Sequence, residues 1–129
     1  VNTRAAGAPR EAGARYEDIA SAYLQQNGLV PIARNFNCRY GELDLVMRAG
    51  DTVVFVEVRY RRSAPNGHYG DGVDSVSAGK RAKLVRAAGM FLAQHPQLAE
   101  RACRFDVIAI AGDMTNPQLD WRPNAFEAC

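Results

Sequence analysis

The stretch GELDLVMRAGDTVVFVEVRYRR, residues 41–62, constrains this chain more than any other. Both ELDLVMR and VVFVEVR alternate in the period-two pattern of a strand, and Gly50-Asp51 between them is a two-residue hairpin turn. With that turn Ala49 faces Thr52, Asp44 faces Glu57, and Glu42 faces Arg59. Side chains alternate across a strand, so Leu43, Leu45 and Met47 share one face with Val54, Val56 and Val58. That face is wholly apolar and must be core. The other carries Glu42, Asp44, Val46, Phe55, Glu57 and Arg59.

Directly opposed residues have Cβ atoms about 4.5–5.5 Å apart, and like charges placed there are destabilising. A shared proton, Arg59 lying between them, or a bridging divalent cation would each relieve the Asp44–Glu57 pair; hard cations such as Mg²⁺ or Mn²⁺ prefer carboxylate oxygens. The plainer alternative is a solvated sheet face with a Glu42–Arg59 ion pair. Val46 and Phe55 argue against full solvation, and the first helix is expected to cover part of this face.

The rest of the chain supplies a frame. A helix is expected over 11–27, with Tyr16, Ile19, Ala20, Tyr23 and Leu24 on one face and Gly28 as its stop. Residues 29–36 read as a strand whose Pro31 suits an edge position. Residues 63–75 form a long Gly-rich loop. A second helix starts at Ser77, a good N-cap, buries Leu84, Val85, Ala88, Phe91 and Leu92, and ends near His95-Pro96. Strands are expected over 103–112 and 119–123. The order α-β-β-β-α-β-β predicts an α/β domain with a mixed central sheet flanked by helices. One domain over 13–129 fits the length of 129 residues, with 1–12 expected to be a disordered arm.

Composition excludes some classes. No apolar run is long enough to span a membrane, and no apolar segment follows the N-terminal charges, so no signal peptide is expected. Cys38, Cys103 and Cys129 are three widely spaced cysteines, unsuited to a disulfide framework or a zinc site; a reducing cytoplasm is the simplest compartment. Net charge is only +2. Every cation except Lys80 and Lys83 is an arginine, and Arg59, Arg61 and Arg62 cluster.

Around the hairpin, Glu17 at the edge of the first helix's apolar stripe is a third carboxylate within reach of the sheet, unless it is an ordinary surface charge. Lys80 shares the second helix's buried stripe. Lys80, Arg81 and Lys83 crowd that helix's N-terminal turns, where the dipole disfavours positive charge; a nearby anion accounts for them, as does snorkelling to solvent. Asp106 reads as a structural ion-pair partner of Arg104. His68, Asp71 and Asp74 read as loop residues, and Tyr40, Tyr60 and Tyr69 as packed or exposed aromatics rather than stacking platforms.

GELDLV, VVFVEVR, Lys80, CRFDVIAI and the late NAF together resemble the YraN-like family of small bacterial proteins, over roughly residues 13–127. That family is similar in turn to the restriction-endonuclease-like, or PD-(D/E)XK, superfamily, whose core is αβββαβ and whose nearer relatives here are Holliday-junction resolvases. The resemblance implies Mg²⁺ or Mn²⁺ held by Glu17, Asp44 and Glu57, with Asp44, Glu57, Arg59 and Lys80 as catalytic residues. It implies DNA as partner, branched or damaged structures included, with Arg59, Arg61, Arg62, Lys80, Arg81 and the 63–75 loop contacting phosphates. By analogy with junction resolvases it implies a homodimer. One position departs from the pattern: the superfamily lysine falls on Arg59, which cannot give up a proton. A binding module that keeps the nuclease fold without cutting is the alternative.

Overall fold

The computed structural model describes residues 8–61, 76–113 and 115–126. Helix α1 (Ala8–Gln26) leads into strands β1 (Val30–Cys38), β2 (Gly41–Ala49) and β3 (Thr52–Arg61). Helix α2 (Ala78–Ala93) follows, then a short 3-10 turn (Pro96–Leu98), β4 (Cys103–Ala111) and β5 (Gln118–Phe126). The order is the expected one. The five strands form a single sheet in the order β1-β2-β3-β4-β5. It is mixed: β3 and β4 run parallel, joined by the crossover through α2, and the other neighbours are antiparallel. Pro31 sits on the edge strand, as its missing N–H requires.

The local signals are visible in the details. Gly50 takes φ 59° in the hairpin turn, which suits glycine because no Cβ resists a left-handed backbone. Ser77 caps α2, its Oγ accepting from the Lys80 N–H at 3.1 Å. α1 begins at Ala8 rather than Glu11, so residues 8–12 of the expected arm are helical; residues 1–7 lie outside the described residues, as do Arg62, the 63–75 loop and His68.

Two apolar clusters fill the two faces of the sheet. Ala20 and Leu24 of α1 pack on Leu45, Met47, Val54, Val56, Ile108 and Ile110. Leu84, Ala87, Ala88 and Phe91 of α2 pack on Val46, Val53, Phe55, Phe105 and Val107. The first helix therefore covers the wholly apolar hairpin face, and α2 covers the mixed face, correcting the expectation that α1 lies over the latter. The apolar face offers α1 a continuous aliphatic surface, whose burial is worth roughly 25 cal/mol per Å².

Leu43 is a second correction. It packs with Val46 and Phe55 on the α2 side, not with Leu45 and Met47. Strict alternation fails here because Asn35 of β1 is left-handed, with φ 55°. β1 and β2 pair Arg34 with Leu45 and Phe36 with Leu43 on either side of this residue. Ala33 and Phe36 thus both face α2 although three residues apart, and so do Val46 and Leu43. Asp44 sits where the phase changes.

Candidate functional site

The β2–β3 ladder runs from Ala49–Thr52 to Leu45–Val56 in the expected register and ends there. β3 goes on pairing with β4 as far as Arg61–Ala111, so the two hairpin strands part at Asp44 and Glu57. These carboxylates are neighbours across a fork rather than a directly opposed ladder pair. Glu42 likewise does not face Arg59: it turns to Asn35, whose Nδ2 donates to it at 3.0 Å. The fork leaves the Val58 N–H without a strand partner, and Asp44 Oδ2 accepts it at 2.8 Å. That bond fixes the aspartate in the opening.

Glu57 is buried, and its Oε2 lies 2.7 Å from Lys80 Nζ. Lys80 is half exposed, so its stem covers the cleft wall while the ammonium reaches in from the first turn of α2. This ion pair supplies the anion that the crowding of cations at the start of α2 called for. Among the described residues Asp44 makes no such ion pair. Burial, and then the charge of Glu57, push its carboxyl up to about 7, against the ordinary 3.8; Glu17 and Glu42 push the same way, and the Val58 N–H opposes them.

The fork opens into a cleft of about 690 Å³ lined by Tyr40, Glu42, Asp44, Glu57, Lys80 and Lys83 among others. Glu17 stands behind it. Its Oε1 accepts from Asn35 Nδ2 at 2.9 Å and from Arg34 Nε at 3.5 Å, so the Asn35 amide ties Glu17 to Glu42. Among the described residues, no group of three or more His, Cys, Asp or Glu side chains is placed to hold a metal ion. Glu17, Asp44 and Glu57 thus do not close into a three-carboxylate cage.

The predicted cations disperse. Arg59 is half-buried on β3; burial, and then the charge of Arg61, pull its pKa below the ordinary arginine value, and Glu57 opposes this. The Nε of Arg61 is buried with no hydrogen-bond partner among the described residues. Arg81 faces elsewhere: its Nε donates to the Val76 carbonyl at 2.9 Å, its guanidinium lies over Phe126, and it lines a separate cleft of about 280 Å³. Helix geometry explains the split, since consecutive residues point about 100° apart and Lys80 and Arg81 cannot share a side.

Asp106 is structural, as expected. It is 1% exposed and accepts from Arg104 Nε at 3.0 Å, Trp121 Nε1 at 3.0 Å and the Asn124 N–H at 2.8 Å. It thereby pins the β5 irregularity where Asn124 is left-handed, φ 54°. Tyr60 is exposed and stacks on Tyr16 at 4.5 Å. Sequence reasoning missed Asn35, whose readiness to adopt a left-handed backbone was the one available signal. It also missed the setting of Tyr40, which depends on residues distant in sequence.

Residues 16–110 match the model of a family described as "Uncharacterised protein family UPF0102". A UPF0102 protein of Xanthomonas campestris pv. campestris is 52% identical over 119 residues, covering 92% of this chain and 93% of the relative. One from Ectopseudomonas mendocina is 51% identical over 116 residues, covering 90% and 94%. One from Pseudomonas aeruginosa is 46% identical over 121 residues, covering 92% and 94%. The chain therefore belongs to the uncharacterised UPF0102 family, the YraN-like family of the sequence comparison.

Proposed function

We propose that this protein is a metal-dependent, nuclease-like protein with a restriction-endonuclease-like core, acting on DNA phosphodiesters such as those of branched or repair intermediates. The fork carries this reading. Asp44 and Glu57 face one cleft from diverging strands, where burial and then the charge of Glu57 push Asp44 up to about 7. The donor set suits Mg²⁺ or Mn²⁺, which take hard oxygen ligands. Mg²⁺ keeps several waters and needs only one or two carboxylates plus substrate phosphates, so the lack of a three-carboxylate cage does not count against it. Glu17 would then contribute charge from behind.

Bound at Asp44 and Glu57, the metal would supply charge neutralisation at the phosphate and a more acidic water. The chain's own residues supply position. The Val58 N–H holds Asp44, Lys80 holds Glu57 and lies at the cleft for the phosphate, and Arg59 adds a permanent cation to the same strand. Arg59 is a phosphate contact and not a proton acceptor.

A nucleic-acid-binding module that cuts nothing is the second reading. Arg59 at the lysine position favours it, as does the engagement of Glu57 by Lys80. A cytoplasmic location, from the cysteine usage, and a homodimer, by analogy with junction resolvases, are parts of the proposal. Calorimetric titration of Mg²⁺ and Mn²⁺ into the native protein and Asp44→Ala tests the site: Asp44-dependent binding is expected, and its absence overturns the metal reading. Branched, flapped and linear DNA incubated with Mn²⁺ separates the two readings. Cutting lost in Asp44→Ala supports the first, and binding without cutting supports the second.

A further inference from the structure

The cations of α2 other than Arg81 point to a surface that extends beyond the motif residues. α2 contains Lys80, Arg81, Lys83 and Arg86 and no acidic residue. Lys80 is paired with Glu57 and Arg81 turns to Val76. Lys83 and Arg86 are exposed, and so is Arg39 in the turn after β1. Among the described residues none of these three makes a salt bridge. Two of them converge on one ring: the Arg39 guanidinium lies 5.1 Å from the centre of Tyr40, and that of Arg86 5.7 Å. Tyr40 and Lys83 also line the cleft that holds Asp44 and Glu57. A basic, aromatic strip thus leaves the fork at Lys80, passes Lys83, and ends at Tyr40 with Arg39 and Arg86.

We infer that this strip is the track for a single-stranded segment of nucleic acid running out of the fork, an inference that rests on the proposed function for its choice of nucleic acid as partner. From Lys80 to Arg86 the helix advances about 9 Å, so its cations are spread along a stretch of backbone rather than gathered on one phosphate. Among the described residues Arg39, Lys83 and Arg86 have no salt-bridge partner, which matches a ligand that brings its own negative charge. Tyr40 with the Arg39 and Arg86 guanidinium groups over it adds what an acidic peptide does not use: planar groups on which a base unstacked from a duplex can lie. The track runs on the Tyr40 side of α2, away from the cleft that Arg81 lines.

The test is fluorescence anisotropy with a labelled oligothymidylate in EDTA, which excludes metal and cleavage. Arg39→Gln, Lys83→Gln and Arg86→Gln should each weaken binding and flatten the slope of log affinity against log salt by about 0.7 per lost phosphate contact. Tyr40→Leu should weaken binding about five-fold or more with the slope unchanged. Arg101→Gln and Arg122→Gln, away from the strip, should bind as the native protein does. Melting curves confirm that each variant is folded. Track variants that keep native affinity and slope overturn the inference, as does poly-glutamate competing as well as the oligonucleotide. Native protein that takes up Mn²⁺ through Asp44 but binds no oligothymidylate overturns the track and leaves the metal reading standing. Track-dependent binding without Asp44-dependent metal uptake does the reverse.

Discussion

Replacing Asp44 by Asn should stabilise the metal-free protein, and the gain should depend on pH. In the folded state burial and the neighbouring acids raise the Asp44 carboxyl to about 7; its ordinary value is 3.8. Between those values the folded chain holds a proton that the unfolded chain releases. The unfolded state then binds fewer protons, so stability falls as pH rises through this window. Above it the penalty is constant. A difference of about three units at 1.36 kcal/mol each comes to about 4 kcal/mol. Asn keeps the size and an oxygen for the Val58 N–H, and it cannot ionise. It gives up the charge-assisted part of that bond, about 1 kcal/mol. Asp44→Asn should therefore be about 2–4 kcal/mol more stable than the native protein at pH 8 and nearly equal to it at pH 4. Urea unfolding followed by the fluorescence of Trp121, the single tryptophan, reads this directly. High salt should narrow the gap, because part of it is repulsion from Glu57, Glu17 and Glu42. A variant less stable than native at pH 8, or a difference that does not change with pH, would refute the reasoning.

Two other perturbations follow from the same geometry. Asp106→Ala leaves the Arg104, Trp121 and Asn124 donors without their acceptor and should cost about 3–5 kcal/mol, with a shift in native Trp121 emission; a loss below about 1 kcal/mol in urea melts would contradict the structural role. Lys80→Met keeps the stem but strips Glu57, whose side chain is 9% exposed, of its cation. Because Lys80 is half exposed the cost should be only about 1–2 kcal/mol at pH 8, and a double-mutant cycle with Glu57→Gln should recover most of it as coupling.

The parts of this fold that were legible are those set by neighbours in the chain. The Gly50-Asp51 turn imposed the register from Ala49–Thr52 to Leu45–Val56, Ser77 capped α2, and Pro31 marked an edge. Lys80 reaching an anion was also legible, because a helix dipole is a local property. The site's finer geometry was not. A register extrapolated from a turn assumes that the strands stay paired. Here β3 is drawn along β4 while β2 follows β1 around a left-handed Asn35, and the carboxylates meet across a fork instead of a ladder.

The sequence by itself determined which segments become helices and strands, and that Asp44, Glu57 and Lys80 would lie near one another. Only the tertiary structure decided which sheet face each helix covers. Both faces of the hairpin hold enough apolar surface to accept a helix, and hydrophobic attraction has no direction of its own. The choice came from the long-range pairing of β4 beside β3 and from the crossover through α2. That same choice set Tyr40 beside Arg86, since contacts between residues so far apart in the chain exist only once the sheet has assembled.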